Sequence, residues 1–177
     1  MRAATLHGMR ATRSFTLLIL AAPVLMAQSP QPAAEREKAR LLLSATLAGD
    51  WLVNNQEKRT LGKEPFSGDY GRWLYEYKLP DKSWRPSSCW TTSAGIMGLA
   101  LLAERTGLPR YRDAIDRAGG FLKSLQILDA RNPKLFGALH EQNPLSTYLF
   151  PRDGSTAMGG YLALYRVTKD RDYLERA

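Results

Sequence analysis

The sequence predicts an all-α fold built from repeated helical hairpins. Two pairs of segments repeat the same residue pattern along the chain. Apolar residues recur at the spacing of an α-helix within these segments. Short turns with helix-ending or helix-starting residues alternate with long connections. Together these observations favour a layered arrangement of helices over a sheet-based fold.

The repeat has two parts, an outer and an inner helix. Residues 48–56 (AGDWLVNNQ) and 118–126 (AGGFLKSLQ) share Ala-Gly, an aromatic-Leu pair, and a Gln four residues after that Leu. Residues 93–111 and 155–173 share Ser, a second Gly, Thr and the final Tyr at one constant offset. The order is therefore outer, inner, outer, inner, and a third outer helix begins at residues 173–177.

The outer helices are predicted to be amphipathic. Leu43, Leu47 and Trp51 follow one another at intervals of four residues in the first copy. The second copy has an apolar stripe opposite Arg112, Asp116 and Lys123. That stripe consists of Tyr111, Ile115, Ala118, Leu122 and Leu125. One apolar and one polar face place such a helix on the outside of a layer.

The inner helices are apolar nearly all round and rich in glycine, which predicts burial and close helix approach. The turns at residues 106–109 (TGLP) and 168–170 (TKD) connect inner to outer helices, with Asp170 as a cap. The outer-to-inner connections are about 25 to 35 residues long, well beyond the usual helix-helix loop. All long loops therefore gather at one end, where function usually resides.

The N-terminus is predicted to be a secretory signal peptide. Basic residues precede the apolar run 15–26 (FTLLILAAPVLM), which is too short to span a membrane. The expected domains are a signal peptide (1–27), a polar leader (28–34) and a helical domain (35–177). The mature protein would be secreted or periplasmic. An uncleaved membrane anchor is the alternative, and either Met1 or Met9 is the start.

Composition excludes several classes of protein. The formal charge is +8, and the signal peptide contributes Arg2, Arg10 and Arg13, so its removal leaves +5 interleaved with acids. This pattern does not predict nucleic-acid binding. Cys89 is the only cysteine, and His7 and His140 are the only histidines, so the sequence predicts neither a disulfide nor a zinc site. No cofactor is expected.

The alternating hairpins resemble the (α/α) toroids. Residues 161–177 (YLALYRVTKDRDYLERA) are similar to segments of six-hairpin glycosidases, related polysaccharide lyases and sugar epimerases. Residues 117–126 (RAGGFLKSLQ) resemble the start of the glutamine-tryptophan repeat of terpenoid cyclases, although Gly137 arrives late and Ala138-Leu139 follows it. Such toroids usually contain six hairpins. The resemblance therefore implies an incomplete toroid, and the chain is expected to be a fragment.

The resemblance implies a secreted carbohydrate-active enzyme, namely a hydrolase, lyase or epimerase that acts on a polysaccharide or oligosaccharide. The alternatives are a terpenoid-cyclase-like toroid and a non-catalytic helical-repeat binding module. A carbohydrate is the expected partner. Neither nucleic acid nor, after signal cleavage, a membrane is expected as a partner, and the oligomeric state stays open.

Candidate site residues lie in the two long loops. Carboxylates next to aromatic platforms are typical of glycoside chemistry, so Asp153 and Glu141 are the candidate catalytic residues. The candidate substrate-binding residues are Trp84, Trp90, Tyr148, Arg152, His140 and Asp69.

Each candidate residue also has a structural interpretation. Asp153 is placed to cap the second inner helix, and Asp69 is placed in a turn. Glu141 and His140 are otherwise ordinary loop residues. Arg152 would either bind a uronate or phosphate or pair with an acid. About half of the loop aromatics would serve the loop's own core, and Cys89 is either a buried small hydrophobe or a nucleophile beside His140.

Overall fold

A computed structural model describes residues 32–58, 70–85 and 89–177. The predicted signal peptide and Asp69 lie outside these residues. The described elements, in chain order, are α1 (Ala33–Asn55), β1 (Glu76–Lys78), β2 (Ser83–Arg85), α2 (Cys89–Thr106), α3 (Pro109–Leu125), α4 (Pro151–Thr168) and α5 (Arg171–Arg176). The predominantly helical fold is confirmed. The small antiparallel sheet, β1 with β2, lies in a segment that the sequence predicted as loop.

The centre of the molecule is the packing of α2 against both α4 and α3. α1 contacts α2 and α3, and α5 contacts α4. Gly159 of α4 lies close to α2, because an added Cβ would come within 2.9 Å of the Met97 sulfur. The predicted role of glycine in close helix approach therefore holds at Gly159 but not at Gly98 of α2, where an added Cβ would meet nothing within 4 Å.

The predicted apolar stripe of α3 is confirmed. Tyr111, Ile115, Ala118, Leu122 and Leu125 are all buried. The turn before this helix has the expected form: α2 ends at Thr106, Gly107 has a left-handed φ of 67°, and Pro109 occupies the first turn of α3. Gly and Pro at these two positions favour such a helix junction because of their backbone preferences.

The prediction that the apolar stripe of α1 packs inward is wrong. Leu43, Leu47 and Trp51 are 61%, 63% and 54% exposed. The buried position of α1 is Gly49, where an added Cβ would overlap the side chain of Leu102. The absence of a side chain at this position lets α1 approach α2, so the small-residue face packs inward and the bulky stripe remains exposed.

The prediction that the inner helices are buried all round is also wrong. Ala94, Gly98 and Leu101 form an exposed strip on α2, and Met158 and Leu162 are exposed on α4. α3 and the α2–α4 contact cover only part of each helix. Apolar composition indicates that a face can be buried, but a neighbour has to be present to cover it.

The α4–α5 turn has the predicted cap. Lys169 adopts a left-handed conformation with φ 63°, and the Asp170 side chain accepts a hydrogen bond of 3.0 Å from the amide of Asp172. Lys123 Nζ lies 2.6 Å from an Asp172 carboxylate oxygen, which joins α3 to α5. None of the described helices has the length and apolar character needed to cross a membrane.

The two long loops start with the same backbone pattern. The amide of Glu57 donates to the carbonyl of Arg72, and the amide of Gly71 donates to the carbonyl of Glu57. The amides of Ile127 and Gly137 make the corresponding bonds, to Ala138 and Ile127 respectively. Each loop therefore returns to the end of its outer helix at a glycine of positive φ, 94° for Gly71 and 86° for Gly137.

This shared pattern reveals a motif that the sequence interpretation missed. The glutamine-tryptophan repeat continues with Gly-x-Trp after the Gln, and the second loop has Gly137-Ala138-Leu139 instead. Gly-x-Trp is present in the first loop as Gly71-Arg72-Trp73, and Gln56 pairs with Trp73 in an isolated antiparallel bridge. Gln126 pairs with Leu139 in the same way. The longer spacing between Gln and Gly concealed the motif.

Candidate functional site

An aromatic cleft of about 410 Å³ opens where the first long loop meets α1 and the start of α2. Its lining combines residues from the helices and the small sheet. The lining residues are Trp51, Leu52, Trp73, Leu74, Tyr75, Tyr77, Trp84, Trp90, Thr91, Ala94 and Gly95. Six of these eleven side chains are Trp or Tyr, so the cleft offers flat apolar surfaces edged by polar groups.

The small sheet forms one side of the cleft. Tyr77 and Trp84 are register partners across the two strands, and their ring centroids are 5.0 Å apart. Trp84 also lies 6.2 Å from Trp51 on α1. These contacts hold the candidate binding residue Trp84 between sheet and helix, so half-buried Trp84 serves the local core and also lines the cleft.

Trp73 forms the fixed floor of the cleft. Its side chain is 4% exposed, and its indole N–H donates a hydrogen bond of 2.8 Å to the carbonyl of Leu52. Its backbone amide donates to the Thr92 hydroxyl at 3.2 Å. A Cβ on Gly95 would come within 2.7 Å of the Trp73 ring. Trp73 was not among the predicted site residues, and its Gly-x-Trp context was the available signal.

Trp90 joins the cleft to a group of charged residues. Its ring meets Tyr75 edge-on at a centroid distance of 5.4 Å. The guanidinium carbon of Arg152 lies 5.4 Å from the centroid of the same Trp90 ring. The candidate residues Trp90 and Arg152 lie in the first turns of α2 and α4, not in the loops where the sequence placed them, and the structure brings them into contact.

The charged group, hereafter the charged cluster, consists of Arg152, Glu141 and Asp153. Arg152 approaches Glu141 Oε1 at 3.7 Å and Asp153 Oδ1 at 3.5 Å. The backbone fixes Glu141, because its carbonyl accepts a 2.6 Å hydrogen bond from the amide of Cys89. Both candidate catalytic carboxylates therefore lie beside one guanidinium at the starts of α2 and α4.

The two carboxylates differ in access to solvent. The Glu141 side chain is 19% exposed, whereas Asp153 is fully buried. Neither Asp153 carboxylate oxygen has a hydrogen-bond partner among the described residues. Burial raises the pKa of Asp153, against the opposing effect of Arg152, and the negative charge of Glu141 adds to the increase. Of the two residues, Glu141 is the one that a bound molecule can reach.

Cys89 is a buried thiol next to this cluster. Burial, followed by the nearby charge of Asp153, raises its pKa to about 12. A thiol with so high a pKa carries almost no thiolate at neutral pH and is a poor nucleophile. Nδ1 of His140 lies 2.6 Å from the carbonyl oxygen of Ser146, and this short contact is consistent with a protonated Nδ1. The interpretation of Cys89 as a small buried side chain is therefore favoured over a Cys-His pair.

The other candidates occupy the edge of the cluster. Tyr148 is 64% exposed and stacks on Phe150 at a centroid distance of 6.2 Å. Phe150 in turn lies 5.5 Å from the Arg152 guanidinium. His140 is half-buried and pairs through its backbone with Leu149. These residues shape the surface beside Arg152, and Asp69 lies outside the described residues.

In the described part of the chain, no group of three or more His, Cys, Asp or Glu side chains is arranged to hold a metal ion. Comparison with known proteins found no matching family model, no matching curated protein and no matching solved structure. The cleft and the charged cluster are therefore the features of the described residues that bear on function.

Proposed function

We propose that this chain is part of a secreted carbohydrate-active enzyme of the (α/α)-toroid type. In this proposal the aromatic cleft binds sugar rings, and Glu141 provides acid/base chemistry. The observation that carries the proposal is the continuity of the cleft with the charged cluster through Trp90 and Arg152. Aromatic stacking surfaces and a reachable carboxylate are the two parts that glycoside chemistry requires.

The size and composition of the cleft support binding of a small molecule. Ligand pockets are mostly apolar, with a few polar groups, and have volumes of roughly 300 to 1,000 Å³. The cleft, at about 410 Å³, falls within this range. Tyr75 and Tyr77 add hydroxyl groups near the ring faces, and such groups can bond to sugar hydroxyls.

The carboxylates have different roles in this proposal. Glu141 donates or accepts the proton, because it has solvent access and lies beside Arg152. Asp153 is fully buried, so it reaches a substrate only if the first turn of α4 moves. Its role as a second catalytic carboxylate stays a prediction, and hydrolysis, elimination and epimerisation all remain compatible with Glu141.

The toroid is proposed from the layering and the loop pattern. α2 and α4 pack directly against each other, and α3 packs on both. The two long loops return to Glu57 and Ile127, the residues after Gln56 and Gln126, through equivalent backbone bonds. In a toroid, further hairpins would cover the exposed strips of α2 and α4, namely Leu101 on α2 and Met158 and Leu162 on α4.

A terpenoid-cyclase-like toroid is the second candidate. The Gly71-Arg72-Trp73 motif after Gln56 favours it, because Gly-x-Trp follows Gln in the glutamine-tryptophan repeat, although here Gly71 follows Gln56 at a longer interval than in that repeat. The cleft then would bind an apolar isoprenoid chain. Displacement of a fluorescent isoprenoid analogue by isoprenoids, without any sugar binding, would select this candidate over the carbohydrate enzyme.

The proposed function is tested by binding a panel of oligosaccharides to the purified protein, measured by calorimetry. Trp84→Ala and Trp90→Ala are each expected to weaken binding about tenfold, since stacking on one ring contributes about 1 to 2 kcal/mol. Phe136→Ala is the matched control, because Phe136 is 54% exposed and does not line the cleft. Equal losses in all three variants, or no sugar binding at all, would contradict the proposal.

A further inference from the structure

The guanidinium of Arg152 lies beside the aromatic cleft and is only loosely paired. Its contacts with Glu141 and Asp153, at 3.7 and 3.5 Å, exceed the roughly 2.7 to 3.2 Å of an N–H···O hydrogen bond. Its side chain is 54% exposed. A guanidinium presents five N–H donors in a fixed plane, so Arg152 retains donors for a ligand.

Two aromatic rings fix the position of this guanidinium. Trp90 and Phe150 lie 5.4 and 5.5 Å from its central carbon. Contacts with ring faces restrict a long side chain and reduce the entropy lost when it binds an anion. Because Trp90 also lines the cleft, a sugar ring that stacks there lies next to the Arg152 donors.

The charge balance around Arg152 leaves room for an anion. Among the described residues, Glu141 and Asp153 are the acids that lie within 4 Å of it. Burial raises the pKa of Asp153, which disfavours its ionised form. The N-termini of α2 and α4 also meet here, since Cys89 Sγ lies 3.8 Å from the carbonyl oxygen of Asp153. Both helix ends add partial positive charge.

We propose that Arg152 binds the carboxylate of a uronic-acid residue, so that the substrate of the proposed enzyme is an acidic polysaccharide or oligosaccharide. This inference rests on the proposed function. Planar, two-point hydrogen bonding between guanidinium and carboxylate provides the selectivity. Glu141 Oε1 lies 3.7 Å from the same guanidinium, so a uronate bound to Arg152 would lie close to Glu141, which could exchange a proton with the acidic sugar.

The test compares acidic sugars with neutral sugars of the same linkage. The probes are short oligogalacturonate, oligoalginate and heparosan fragments, each paired with its carboxyl-reduced counterpart. Calorimetric titration of the purified protein is expected to show at least one acidic probe binding about tenfold or more tightly than its reduced form. Arg152→Gln is expected to remove that preference, so that the acidic probe and its reduced form bind to the variant within about twofold of each other.

Two further variants make the result specific. Arg152→Lys keeps the charge but loses the planar pair of donors, so it is expected to restore only part of the preference. Arg131→Gln removes an exposed arginine that pairs with Asp129 and does not line the cleft, and it is expected to change nothing. Circular dichroism melting of each variant checks that the fold is retained.

The outcomes separate this inference from the proposed function. Equal binding of acidic and reduced sugars, still weakened by Trp84→Ala, would overturn the uronate inference and leave the carbohydrate function in place. An acid preference that persists in Arg152→Gln would overturn the inference as well. Failure of every sugar to bind would overturn both proposals.

Discussion

Asp153 places a carboxyl group in a fully buried position at the start of α4. Neither of its oxygens has a hydrogen-bond partner among the described residues, and burial raises its pKa above the usual 3.8. A buried acid of this kind favours its protonated form in the folded protein. The protonated Asp153 therefore makes its full contribution to the free energy of unfolding below pH 3.8. This contribution is lost as the pH rises through the pKa of Asp153 in the folded protein.

Asp153→Asn is expected to stabilise the protein at pH 7 and to have little effect near pH 3.5, because the neutral amide avoids the cost of ionisation. Thermal unfolding at several pH values measures the difference. Asp129→Asn is the control and is expected to lower stability at pH 7, since hydrogen bonds from the Arg131 side chain lower the pKa of Asp129 and so favour its charged form. A variant that is less stable than the wild type at pH 7 would show that the carboxylate of Asp153 makes a needed contact.

Replacing Gly71 or Gly137 by alanine tests two separate costs, backbone strain and steric overlap. Both have positive φ, so alanine at either position costs about 1 to 2 kcal/mol of backbone strain. A Cβ at Gly71 would also overlap the backbone carbonyl of Arg117, whereas a Cβ at Gly137 would meet nothing within 4 Å. Gly71→Ala is therefore expected to lower the free energy of unfolding by about 1 to 3 kcal/mol more than Gly137→Ala, an excess typical of overpacking. Urea denaturation of both variants measures this difference, and equal losses would contradict the close approach.

At the scale of elements, Gln56 connects α1, the first loop and α3. Its side-chain amide donates to the carbonyls of Gly71 and Ala114, each at 2.8 Å, and its oxygen accepts from Arg117 at 3.0 Å. Gln126 repeats this arrangement: its side-chain amide donates to the carbonyls of Gly137 at 3.5 Å and Arg176 at 3.0 Å, and its oxygen accepts from the Arg176 guanidinium at 3.3 Å. One glutamine per unit thus joins successive outer helices.

Gln56→Ala is expected to destabilise the protein by about 2 to 4 kcal/mol, since it removes three hydrogen bonds and leaves buried carbonyls unsatisfied. Gln126→Ala is expected to cost less, because Gln126 is only half-buried. Denaturant unfolding of the two variants provides the comparison. A larger loss for Gln126→Ala would show that the second junction, and not the first, holds the helices together.

Sequence reasoning predicted the helices better than their exposed faces. The apolar spacing and turn residues around Gly107 and Asp170 predicted helix ends that agree with the structure, because capping preferences are local. The orientation of α1 depended on a tertiary contact at Gly49, which no local pattern contains. The sheet was missed because its strands have three residues each, too few for a recognisable alternation.

The candidate site was predictable in its residue types and less so in its geometry. Aromatics and charges in the two loops indicated Trp90, Arg152 and Glu141, and the structure brings these together. Trp84 lies at the other side of the cleft, against Trp51. The burial of Asp153 was not predictable, because it depends on how the start of α4 meets the start of α2.

At the scale of the whole molecule, apolar surface remains uncovered along α1. Leu41, Leu43, Leu47 and Trp51 are each more than half exposed. Beside them, a groove of about 350 Å³ between α1 and α2 is lined almost entirely by apolar groups. Contiguous exposed apolar surface promotes association or aggregation in water.

The isolated chain is therefore expected to self-associate through this surface. Leu43→Glu combined with Leu47→Glu should lower the apparent mass in sedimentation velocity and reduce binding of an apolar dye, while helical content stays unchanged. Leu128→Glu is the matched control, since Leu128 is 48% exposed and lies in the second loop, away from α1. A wild-type chain that is monomeric at high concentration and unfolds cooperatively at high temperature would contradict this expectation. Such behaviour would mean that the core between α2, α3 and α4 suffices for stability without a covering partner.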